Sequence, residues 1–303
     1  MASMITMFLQ SAYSMIDGLF VSNLIGDTAL SAVNVAWPII AVVTAIGTGV
    51  GCGGAVMMST KQGEGKNEES NIVRANVILA LLASSIVVTI LFLILLTPLL
   101  KLMGAEGELL RLSQIYGRVM LTGGVLQILS CGLTPLLRND NRAVSAMMIM
   151  VGGLFANLGL DFVFMYAFHM GIGGAAGASL CAQLFTTVCC LMILCTKKTD
   201  PIRLSQFMIR KEYWKKIFKT AVSPFGISLT PSLLILYHNV ACLKFGGDLA
   251  VNAYALISST VGSYRVLLIG VAEGIQPLAS YAYGAHDFHA IRKIRNKAII
   301  TAM

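Results

Sequence analysis

The 303 residues are 56% hydrophobic and 12% charged, against roughly 25% charged in a soluble domain. Apolar runs of about 20 residues or more recur along the whole length, each able to cross a hydrocarbon core of ~30 Å as a helix, which excludes a soluble globular fold. The net charge of +8 does not point to nucleic acid. Most basic residues sit between the apolar runs, as in loops flanking membrane helices.

In chain order the spans are predicted at 1–22, 30–58, 74–100, 113–137, 143–167, 172–196, 217–244 and 250–281, and a ninth begins near Ala298. The fold expected is all-α and polytopic. The first run lacks the pattern of a cleavable signal peptide and reads as a spanning helix. The seven cysteines, Cys52, Cys131, Cys181, Cys189, Cys190, Cys195 and Cys242, fall inside or at the ends of apolar runs. They show no metal-site spacing and read as small hydrophobes.

Basic residues set an orientation. The loops after spans 2, 4, 6 and 8, with their flanks, hold Lys61, Lys66, Arg74, Arg138, Arg142, Lys197, Lys198, Arg203, Arg210, Lys211, Lys215, Lys216, Lys219, Arg292, Lys293, Arg295 and Lys297. The alternate loops hold only Lys101, Arg111 and Lys244. This asymmetry places the N-terminus in the cytoplasm. Arg118 and Arg265 are the basic residues left inside spans.

Residues 196–216 form the only long polar loop and follow six helices, as a connector between two lobes would. A shift of 221 residues pairs Gly26-Asp27 with Gly247-Asp248, Ala29 with Ala250, Gly49 with Gly270, Gly53 with Gly274, Gly63 with Gly284 and Arg74 with Arg295. Span 1 then matches span 7 and span 2 matches span 8, in one orientation. The organisation expected is an N-terminal six-helix lobe (1–196), a connector (197–216) and a partial C-terminal lobe (217–303), two bundles related by a parallel repeat with the second incomplete. Such repeats build transporters with a substrate path between the bundles.

Several segments carry a family likeness. Ser14 to Val21, followed by Gly26-Asp27 and Ala29 to Val33, resembles the first helix and following loop of the MATE (multidrug and toxic compound extrusion) transporters, in the bacterial multidrug branch. Leu136-Leu137-Arg138-Asn139-Asp140 resembles that family's loop after helix 4, and Asn157 to Asp161 its Asn-x-x-x-Asp on helix 5. Gly171 to Ala178 is similar to its entry to helix 6, and Gly274 to Leu278 with Tyr283-Gly284-Ala285 to its end of helix 8. Family members have twelve helices, so the resemblance implies a truncated chain without most of helix 9 and without helices 10–12. It also implies a coupling-ion site for H+ or Na+ in the N-terminal lobe.

Asp17 is the leading site residue: an acid inside an apolar span, roughly 9 Å from the outer end at 1.5 Å per residue, is expensive and faces the bundle interior. Asn157 and Asp161 lie at comparable depth on span 5, and their i,i+4 spacing puts them on one helix face. Three such groups can share a proton or offer oxygens to Na+; each can also be a structural polar cap. Glu273, Arg265 and His238 are possible cavity residues. Glu273 sits near the inner end of span 8 and can face cavity or water. Arg265 is expected to pair with an acid or with carbonyls. His238 occupies the repeat position of Asp17 and reads as a hydrogen-bonded packing residue.

Gly49 to Gly54 matches G-x-G-x-x-G, but lies inside an apolar span, where close helix packing is the better reading than a dinucleotide site. His286 and His289 read as solvated, and no metal site is expected. The sequence carries no hydrolase motif, so an enzyme is not expected. The leading function is therefore a secondary transporter exporting organic, often cationic, small molecules by antiport with H+ or Na+. It would need no other cofactor and no nucleic acid, and would act as a monomer in the plasma membrane. The alternatives are a lipid-linked sugar or polysaccharide flippase and a non-functional fragment.

Overall fold

The computed structural model describes residues 6–9, 25–196, 206–207 and 209–302, with side chains given for only part of 236–263. Span 1, with Asp17, thus lies outside the described residues apart from 6–9. The described chain is helical: α1 (Asp27–Gly63), α2 (Asn67–Leu102), α3 (Gly107–Thr122), α4 (Gly124–Asn139), α5 (Ala143–Asp161), a π-helical turn (Phe162–Ala167), α6 (Gly171–Cys195), α7 (Lys211–Gly284) and α8 (Phe288–Ala302).

Among the described residues four helical stretches are long and apolar enough to cross a membrane, Thr28–Gly63, Asn67–Leu102, Ala143–Ala167 and Gly171–Cys195; α3 and α4 together make a fifth, bent by 57°. These correspond to spans 2 to 6. The bend falls at Gly123, where a Cβ would stand 2.1 Å from Leu180 Cδ2 on α6, so a larger residue would require the Leu180 side chain to shift. Gln127 Nε2 donates to the Met120 carbonyl across the bend at 2.6 Å, supplying a partner near the interrupted ladder.

Close packing of α1 holds the bundle together. A Cβ on Gly51 would meet Gly132 O of α4 at 2.3 Å, and one on Gly54 would meet Val77 Cγ2 of α2 at 2.2 Å. Small residues let helix backbones touch where lipid offers no hydrophobic drive between helices. Ile128, Leu133, Leu136, Leu137 and Leu81 fill the space around them and are fully buried. On α2, Ile86, Val87, Ile90 and Ile94 stay exposed, as a lipid-facing stripe does.

Spans 7 and 8 were expected as two helices. The structure gives one helical element, α7, which already begins at Lys211, inside the expected connector. Ala221 packs against Gly49 and Gly53 of α1, whereas Tyr281 and Gly284 pack against Thr60 and Gly63. A straight helix would separate Ala221 from Tyr281 by about 90 Å, yet Gly49 and Gly63 are only about 21 Å apart along α1 at 1.5 Å per residue. The helix therefore bends back on itself, and both its ends lie toward the end of the bundle that carries the basic loops. Pro224, Pro231 and Pro277 lie within it, each removing a ladder hydrogen bond.

Candidate functional site

The buried face of α5 is a stripe of Ala146, Ile149, Gly153, Asn157 and Asp161, spaced three or four residues apart as one helix face requires. Its last two members are polar. Asn157 Nδ2 donates to Asp161 Oδ2 at 3.1 Å, with Asn157 6% and Asp161 0% exposed. The structure thus brings two of the three expected ion-site residues together, inside the bundle and away from the basic loops.

Directly after Asp161 the helix widens into the π turn, with Phe168 N donating to Val163 O and Met170 N to Phe164 O, each at 3.0 Å. Such widenings are frequent at functional sites. The glycine-rich start of α6 seats it: a Cβ on Gly174 would lie 3.3 Å from the Phe164 backbone. The arrangement offers one carboxylate and one amide oxygen in a dry, walled position, suited to a proton or a small hard cation. Among the described residues, no group of three or more His, Cys, Asp and Glu side chains is placed to hold a metal ion.

A second polar centre lies at the basic end, where the chain turns from α4 into α5. Arg74 Nη1 is 3.5 Å from Asp140 Oδ2, both side chains 1% exposed; Arg74 Nη2 also donates to Asn71 Oδ1. Gln62 Nε2 donates to Asp140 Oδ1 at 3.1 Å and Ser59 Oγ to the Asn139 carbonyl at 3.2 Å. The Leu136–Asp140 motif therefore ties α1, α2 and α4 together. Around it Lys61 pairs with Glu64 and Glu69, and Lys66 with Glu64. Donation from Lys61, then Lys66, holds the Glu64 carboxyl below the usual carboxylate range.

Glu273 meets neither open cavity nor water alone: its Oε2 accepts from Arg138 Nη1 at 2.6 Å. The pair lines a pocket of about 10 Å³ with Thr6, Ala143, Ala146, Met147 and Met150, at the lower bound for one water. Sequence reasoning missed this bond. The partners are 135 residues apart, and the one signal was Arg138 inside the loop motif.

The other candidates stand apart. Arg265 is exposed, and among the described residues no carboxylate lies within ion-pair distance of it. His238 is exposed, with Nδ1 2.8 Å from the Leu234 carbonyl and its ring stacked on Tyr254 at 5.0 Å. Both contacts are those of a packing residue at the surface. Gly49 to Gly54 packs against α4, α2 and α7, the helix-contact reading of that motif.

The model of the MatE family matches residues 2–166 and 227–303. The chain belongs to the MatE family. Among curated relatives, the multidrug export protein MepA of Staphylococcus saprophyticus is 24% identical over 282 residues, covering 92% of this chain and 62% of that protein. MepA of Staphylococcus aureus strain N315 is 24% identical over 306 residues, 99% of this chain and 65% of its own length. The chain thus spans less than two thirds of these relatives. Solved structures agree: a MATE protein in the bent conformation has a TM-score of 0.91 at 26% identity, with 99% of this chain and 67% of that chain covered. An outward-facing multidrug-resistance MATE transporter has a TM-score of 0.92 at 27% identity, covering 99% and 66%. This MatE chain is a helical membrane protein of the multidrug-efflux transporter family.

Proposed function

We propose that this MatE protein exports organic small molecules, cationic ones among them, in exchange for H+ or Na+, and that Asp17, Asn157 and Asp161 form the coupling-ion site. The supporting observation is the Asn157–Asp161 pair: a carboxylate 0% exposed, held at 3.1 Å by an amide on the same helix face and followed by a π turn. Asp17 comes from span 1 at comparable predicted depth. An ion at this carboxylate removes a buried charge, so its arrival and departure bias the surrounding helices between two arrangements.

In this reading residues 1–196 and 217–303 act as two lobes that rock about the cleft between them, with the basic loops and the N-terminus in the cytoplasm of the plasma membrane. Binding and rocking require no bond chemistry, so the protein acts as a transporter and not as an enzyme. It works as a monomer, with small molecules and lipid rather than nucleic acid as its partners. A flippase for anionic lipid-linked sugars would call for more cationic residues in the spans than Arg118 and Arg265.

Fluorescent-cation efflux from cells expressing the protein tests the site. Asp17→Asn and Asp161→Asn each are expected to abolish efflux with normal expression. Unchanged efflux and unchanged ion dependence in both variants would remove these residues from the mechanism.

A further inference from the structure

The contact between α1 and α7 at the basic end has an internal symmetry. A Cβ on Gly63 would stand 2.1 Å from Tyr281 O, and one on Gly284 would stand 2.0 Å from Thr60 O. Thr60 and Tyr281 are separated by 221 positions, and so are Gly63 and Gly284. Each residue therefore meets the repeat equivalent of its own neighbour, the reciprocal pattern of an interface on a two-fold axis. Cys52 and Glu273 are separated by the same 221 positions, so each is the repeat counterpart of the other. Glu273, Gln276, Ser280 and Gly284 recur every three or four residues, so one stripe of α7 faces α1 and α4 along this axis.

The Arg138–Glu273 bond lies on that stripe. Arg138 on α4 and Glu273 on α7 bond at 2.6 Å, with side chains 6% and 20% exposed. This geometry points to a latch, and we propose that the ion pair holds the basic end of the cleft shut and is broken and remade in each transport cycle. The inference rests on the transport reading, because a latch implies that the two lobes part here.

The chemistry suits a switch better than a permanent fastening. When the helices part, water solvates both charges, so the pair opposes opening only weakly. Inside the closed contact, however, a single charge without its partner is strongly unfavourable. Neutralising either residue alone therefore penalises the closed arrangement and opens this end. Neutralising both, or exchanging them, leaves it near its native balance.

Cys52, 7% exposed and the repeat counterpart of Glu273 on α1, is a native reporter. In a variant whose other six cysteines are alanine, labelling of Cys52 by a membrane-impermeant maleimide is measured in vesicles with the basic end outward. Glu273→Gln and Arg138→Gln are each expected to raise the labelling rate roughly tenfold or more, as an isolated buried charge would. The exchange Arg138→Glu with Glu273→Arg is expected to return the rate to near native. Single variants labelled at the native rate would overturn the latch, and so would an exchange labelled as fast as the single variants. The exchange keeps both charges, so its recovery also separates a released latch from a misfolded protein. Efflux is measured separately: native efflux with unaltered labelling rejects the latch alone, whereas absent native efflux rejects the transport reading and leaves the labelling result to decide whether this contact opens.

Discussion

Gly284→Ala is the smallest perturbation that separates packing within the bundle from closure between its halves. The added methyl would stand 2.0 Å from the Thr60 carbonyl oxygen and 2.8 Å from its carbon. Both are backbone atoms of α1, which no rotamer change can move aside, so the helices must separate by about 1 Å. Overpacking of this kind costs about 1–3 kcal/mol. Charged against the closed arrangement alone, that shifts the balance between closed and open states by roughly 5- to 150-fold. The readout is maleimide labelling of Cys52 in the background lacking the other cysteines. Gly51→Ala provides the contrast: its methyl would lie 2.3 Å from Gly132 O inside the α1–α4 contact. That variant is expected to lower the unfolding temperature with no selective gain in labelling. Should Gly284→Ala label at the native rate, the Thr60–Gly284 contact would not be a closing surface, and the reasoning from its symmetry would fail.

Three further outcomes follow from the polar centres. Arg74→Gln leaves Asp140 with a buried charge that has lost its cation, and is expected to cost about 3–5 kcal/mol in thermal unfolding in detergent; Lys66→Gln, at an exposed pair, costs under about 1 kcal/mol. Asn157→Ala removes one donor to Asp161 and is expected to cost about 1–3 kcal/mol by the same measurement. Glu64 is ionised more readily in the folded chain because Lys61 and Lys66 donate to it. Its contribution is complete above the ordinary glutamate value of about 4.3 and is lost as pH falls through the lowered folded value. The small difference in unfolding temperature between native protein and Glu64→Gln is therefore expected to shrink in acid, when both are followed from pH 7 to pH 3.

Much of the architecture was legible because length and apolarity alone decide whether a helix can cross a bilayer. Spans 2 to 6 correspond to described helices for that reason. The bend between α3 and α4 was not read, although Gly123-Gly124 marked it, since a glycine pair in an apolar run serves packing as readily as bending. At spans 7 and 8 the polar residues Lys244 to Asp248 suggested a break, while the backbone stays helical through them. The face shared by Asn157 and Asp161 follows from i,i+4 spacing. The π turn beside it depends on hydrogen bonds at Val163 and Phe164 that no residue type specifies. Arg138 and Glu273 were noticed separately, one for a loop motif and one for depth; only the folded arrangement of α4 against α7 joins them.

The central claim is that a buried carboxylate on α5 couples ion movement to solute export. Its most direct test is ion-driven transport in proteoliposomes, with an imposed H+ or Na+ gradient and a fluorescent organic cation as substrate. The account predicts gradient-driven transport by the native protein. It also predicts that Asp161→Asn still binds the cation but moves it no faster with the gradient than without. Gradient-driven transport by Asp161→Asn at the native rate would contradict it.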